Sequence, residues 1–137
     1  MAQPYRGHPQ EPPTAVATAA KAMLGLTALF VVDRLLAFGL GDPPFTTWEA
    51  VTSVVLVALF LALTTLVRQG NNSMRVITTL LLVIGVFRAL DPITGSHALV
   101  VRAVGLVELV LEVAIVALLW AGPAANAYFL RPEGDRR

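Results

Sequence analysis

Apart from Lys21, Arg75 and His97 at their very ends, six ionisable side chains fall inside the long apolar stretches of this sequence: Asp33, Arg34, Arg88, Arg102, Glu108 and Glu112. Glu108 and Glu112 stand four residues apart, so on a helix they share one face. Two neighbouring carboxylates in a low dielectric do not readily ionise together. Without cations beside them, at least one is expected to hold a proton at neutral pH, and taking up and releasing that proton is the chemistry such a pair can do. Asp33, Arg88 and Arg102 have the types to form an ion pair, Asp33 with one of the two arginines. The six formal charges cancel. The intramembrane polar site expected from sequence is therefore Asp33, Arg88, Arg102, Glu108 and Glu112.

Little else in the chain can carry chemistry. There is no Cys, and the two histidines are His8 and His97. Two histidines, one in a polar tail, do not make a buried bis-His haem site, and an i, i+4 carboxylate pair alone is not a metal site. No Ser-His-Asp set, P-loop or Gly-rich dinucleotide motif occurs. No catalytic residue, cofactor or metal is expected, and the protein reads as a non-enzyme. A net charge of +1 gives no footprint for nucleic acid.

The elements that must position these charges are membrane helices. Of the 137 residues, 56% are hydrophobic and 14% are charged, against about 25% charged in soluble domains. Mean hydropathy is +0.73. Four stretches approach the roughly 20 apolar residues that a bilayer crossing needs: about 20–40, 50–67, 74–90 and 97–121. All nine prolines are expected outside them. The linkers carry turn residues, as in Gly70-Asn71-Asn72-Ser73. Thr46 with Glu49 predicts a capping box opening the second helix, and Ser96 is a candidate cap for the fourth. Residues 1–18 read as a disordered, proline-rich tail, 19–130 as the transmembrane domain and 131–137 as a charged tail.

Orientation follows from the basic residues near helix ends. Arg6, Lys21, Arg68, Arg75, Arg131, Arg136 and Arg137 all belong to one side, and the first and third linkers carry none. Both termini are thus expected in the cytoplasm, where the sequon Asn71-Asn72-Ser73 would be silent. Phe45 and Trp48 would anchor the outer boundary, and Trp120, Tyr128 and Phe129 the inner one. Short linkers make consecutive helices antiparallel neighbours. The fold expected is all-α, an integral membrane four-helix antiparallel bundle. Gly25, Ala28, Ala58, Ala62, Gly85 and Gly105 are candidates for close helix approach.

The fourth helix sets the energetic problem. Three central charges cost roughly 8 to 10 kcal/mol on insertion scales, and its fourteen Leu, Ile and Val residues return about 4 to 8 kcal/mol. It therefore needs partners in the other helices. At about 1.5 Å per residue, Asp33, Arg34, Arg88 and Arg102 lie in the outer half, and Glu108 and Glu112 lie near the middle, with no basic residue evident at their depth. Asp33 shares a face with Ala22, Leu26, Leu29 and Ala37, which should point inward. Arg34 is rotated about 100° away, free to snorkel outward.

The run Leu118-Leu119-Trp120, Pro123, Asn126-Ala127-Tyr128-Phe129 resembles the ending of small four-span membrane proteins of actinobacteria, largely of unknown function. The resemblance covers one helix end and the overall layout, and it implies a bacterial inner-membrane location but no active site. Two functions fit these residues. In one, the protein is a small accessory or structural membrane protein, partnered in the lipid bilayer by a second copy or by another membrane protein, and its charges hold helices or partner helices together. In the other, it is a proton-coupled small-molecule transporter or proton relay, with Glu108 and Glu112 as carriers and Asp33 as a gate.

Overall fold

The computed structural model describes residues 11–41 and 44–131. Every regular element among them is helical: α1 (Thr14–Leu40), α2 (Thr47–Arg68), α3 (Asn72–Thr94), α4 (Leu99–Trp120) and α5 (Pro123–Phe129). The first four are long and apolar enough to cross a membrane. Their outward faces carry large apolar side chains such as Leu35, Phe38, Val54 and Phe87. In water such a surface would drive aggregation, and in lipid it is the natural exterior. The chain thus has the makeup of a multi-pass membrane protein.

Local sequence explains most boundaries. α1 begins directly after Pro13, whose carbonyl accepts from Ala17 N at 2.9 Å, and an Ala-rich segment extends the helix through residues expected to be tail. The rest of the expected N-terminal tail, residues 1–10, lies outside the described residues, as does the C-terminal tail from 132. The Thr46–Glu49 capping box opens α2: Thr46 N donates to Glu49 Oε2 at 2.7 Å, and Glu49 N donates to Thr46 Oγ1 at 3.2 Å. Asn71 caps α3 by accepting from Met74 N. Ser96 does not cap α4; the N-cap is Ala98, with no side-chain bond. Pro92 does not end α3 but sits in its last turn, where the missing N–H leaves the Arg88 carbonyl without its helical donor.

α4 packs on both α1 and α3, and α1 also packs on α2, whereas α2 leans only lightly on α3. Two glycines permit close approach. A Cβ at Gly105 would lie 3.0 Å from Pro92 Cγ, and one at Gly85 would meet the Glu112 carboxyl group. Gly25, Ala28, Ala58 and Ala62 are instead exposed.

The dense core lies at one end of the molecule. Val16 and Met23 of α1, Leu63 and Val67 of α2, Leu82 of α3 and Ile115 and Leu119 of α4 form one cluster with Ala125, Tyr128 and Phe129 of α5. α5 folds across this end as a plug. Tyr128 Oη donates to the Arg68 carbonyl near the close of α2, and its ring lies over Gly70. Gly70 has φ +82°, and a Cβ there would stand 3.0 Å from Tyr128 Cε1.

Gly70→Ala therefore meets both backbone strain and an occupied space. It is expected to lower stability by about 1–2 kcal/mol, the cost of a left-handed non-glycine residue, read as an earlier midpoint in detergent unfolding. An unchanged midpoint would mean that Tyr128 does not seat on this turn.

Candidate functional site

A cavity of about 110 Å³ lies between α1, α2, α3 and α4. Its wall is largely apolar, from residues including Leu26, Phe30, Phe60 and Leu81, and its polar members are Thr27, Arg88, Glu108 and Glu112. Water needs about 10–15 Å³ of such space, so the cavity has room for a small molecule or several waters.

Both glutamates reach it from α4 as the i, i+4 face requires. That face also carries Gly105 and Ile115, both buried. Glu112 is 8% exposed, and its Oε2 is buried without a hydrogen-bond partner among the described residues; Glu108 Oε1 is in the same condition. Room for the Glu112 carboxyl group exists because position 85 has no side chain: a Cβ there would lie 2.9 Å from Glu112 Cδ. Thr27 Oγ1 donates back to Met23 O at 2.8 Å and keeps its lone pairs.

Arg88 shares the cavity with both acids, which the sequence expectation of no cation at their depth did not foresee. α3 runs through Pro92 to Thr94, and Arg88, an exposed residue of this helix, reaches the cavity wall. It nonetheless forms no ion pair within 4.0 Å among the described residues. The charged neighbours of Glu108 are Asp33, Arg34 and Arg88, and those of Glu112 are Glu108 and Arg88.

Asp33 is buried on the expected inward face, with Leu26 and Ala37. Its partner is neither Arg88 nor Arg102. Arg34 folds back along its own helix, with Nε donating to Asp33 Oδ2 at 3.0 Å and Nη2 paired to the same oxygen. Adjacent helical residues do not face each other, but the long arginine stem spans the turn and also rests near the Phe30 ring. Arg102 lies apart from the cavity. It is exposed and donates from Nε to the Ile93 carbonyl at 3.2 Å, closing the end of α3. Three of the five expected site residues thus line the cavity, one borders it, and one does not belong to it.

Compared with protein-family models, curated proteins and solved structures, the chain matches none.

A second polar cluster was missed by sequence reasoning. Arg75, counted only as a topological charge, is 3% exposed. Its guanidinium carbon sits 4.0 Å from the Trp120 ring centroid and 4.6 Å from that of Phe129. Nη1 donates to Asn126 Oδ1 at 2.9 Å and to the Leu119 carbonyl at 3.4 Å. Trp120 Nε1 donates to Thr79 Oγ1 at 2.8 Å, and Thr79 in turn donates to the Arg75 carbonyl. The cluster ties α3 to the α4–α5 corner. Its signal was available: Pro123 at the first position of a short helix and the polar and aromatic residues Asn126, Tyr128 and Phe129 after it.

Arg75→Lys keeps the charge and loses the planar stack. Amide hydrogen exchange across 123–129 is expected to speed up by roughly tenfold or more, since a buried charge-assisted hydrogen bond and its packing are lost. Exchange at the wild-type rate would show that Arg75 does not hold α5.

Proposed function

We propose that this protein is a small, non-enzymatic, multi-pass protein of the bacterial inner membrane that couples proton binding at Glu108 and Glu112 to the movement of a small molecule. Its helices run antiparallel, with both termini cytoplasmic. The one-sided distribution of Lys and Arg supports that orientation, as do the pairings Arg75 with Leu119, Gly85 with Glu112 and Gly105 with Pro92 along α3 and α4.

The observation that carries the proton reading is the pair of buried carboxylate oxygens, each without a partner, at a cavity between four helices. A stapling role would satisfy those oxygens with an arginine, because burying an unpaired charge is costly. A carrier needs them free. Intramembrane ionisable residues facing a cavity mark ion or substrate paths by default. The plugged α5 end and the looser opposite end, which holds Asp33, Arg34 and Arg102, make the latter the entry side, with the Asp33–Arg34 pair as the gate.

The accessory reading draws on one observation of its own. Arg102 is exposed and has a single backbone acceptor among the described residues, which suits an arginine that meets a partner helix in a homo-oligomer or a larger assembly. In that reading Asp33, Arg88, Arg102, Glu108 and Glu112 hold helices together.

Infrared spectra of the protein in lipid separate the two. A carboxylic-acid carbonyl band that titrates across the physiological pH range, and that is lost in Glu112→Gln or Glu108→Gln, is expected. Carboxylates ionised throughout, with no band sensitive to either substitution, would overturn the proton reading in favour of the accessory one.

A further inference from the structure

Resting on the proton-binding reading above, we infer that the cavity binds a small primary alkylammonium ion in exchange for a proton. Charge decides the sign of the occupant. Glu108, Glu112 and Arg88 line the cavity, and the Asp33–Arg34 pair, whose two charges both act on Glu108, is neutral as a unit. With both glutamates ionised the site carries one net negative charge. A low-dielectric interior favours neutrality, which one bound proton or one bound monocation restores equally. An anion would deepen the imbalance, and a divalent ion would reverse it.

The rest of the cavity decides the chemistry of that cation. An inorganic ion such as Ca²⁺ or Mg²⁺ takes six or more oxygens, and among the described residues no three His, Asp or Glu side chains are grouped to hold one. The wall is instead largely apolar, with Phe30 and Phe60 among its residues, which suits an alkyl body. Three side chains present acceptors: Glu108, Glu112 and Thr27, whose hydroxyl spends its hydrogen on Met23 O. A primary ammonium has three N–H donors, and a quaternary one has none. Size sets the limit. A cavity of about 150 Å³ accommodates benzene, so about 110 Å³ admits a shorter body such as a butyl chain.

The exchange balances. The protonated carboxyl group releases H⁺ to solvent as R–NH₃⁺ binds the resulting carboxylate, so the site stays neutral throughout.

The test is calorimetric titration of n-butylamine into the full-length protein in lipid nanodiscs, in buffers of different ionisation enthalpy and at several pH values. Saturable binding with close to one proton released per amine is expected, with apparent affinity falling about tenfold per pH unit on the acid side. Tetramethylammonium, which has as many non-hydrogen atoms, should bind markedly less well. Glu112→Gln should abolish both binding and release; if that variant does not fold, the wild-type proton count and pH slope decide. Binding without proton release, or tetramethylammonium binding as tightly, would overturn the inference. A titrating carboxyl band in the infrared with no saturable amine binding would overturn it and leave the proton reading standing. Absence of both would sink the two together.

Discussion

The carboxyl group of Glu112 is buried in the space that position 85 leaves empty, and much of the molecule's interior is arranged around that fact. A carboxylate in an apolar interior carries a large desolvation cost unless it is paired, protonated or solvated. Here one oxygen lies over a glycine and the other faces a cavity without a partner. Filling position 85 would evict the group. Pairing it would silence it. The glycine on α3 and the glutamate on α4 therefore belong to one feature, and α3 and α4 must approach closely for it to exist. Gly105 beneath Pro92 secures a second close approach of the same two helices.

That arrangement divides the protein into two unlike halves. Toward α5, aliphatic side chains from all four long helices interlock, and Arg75 stacks between Trp120 and Phe129. Toward the other end few side chains are fully buried, and the charged groups gather: Asp33 with Arg34, Arg102 on the last turn of α3, and His97 3.5 Å from Asp91. Packing density of this kind resists deformation, so motion that admits a ligand is cheapest at the charged end. The cavity sits at the border. In the proposed function its carboxylates are approached through the charged end.

The sequence carried the helices more fully than the site. Four apolar stretches, the Thr46–Glu49 box and the shared face of Glu108 and Glu112 are local or periodic signals, and local chemistry decides them. Thr64 and Thr65 bond back to Phe60 and Leu61 in their own helix, the usual outcome for such residues. The partners of the arginines were not legible in the same way. Arg34 folds onto its neighbour because its stem is long, Arg88 reaches the cavity from a helix that absorbs Pro92 rather than stopping before it, and Arg75 is buried because α5 turns back under the helix ends. The last two depend on where a backbone segment goes after the residue in question. Charge counting along the chain contains no such information, and it used Arg75 only as a marker of topology.

In the proposed function, the separation between Arg88 and the two glutamates is what lets the cluster do more than insert α4. A salt bridge at contact distance would offset the insertion cost of Arg88 and Glu108 most fully, and it would also hold both groups charged over a wider pH range. Without contact, Arg88 still shares the cavity and lowers the cost of one negative charge, but it leaves the second carboxyl group to be neutralised by something that can come and go. Arg102 reaches the end of α3, and Arg88 shares the cavity with both acids. In the proposed function the remaining carboxyl group enters the bilayer neutral, carrying a proton, because an uncompensated buried charge is costly. A helix that needs such a proton to be stable in the membrane would have a proton site as a consequence of its folding.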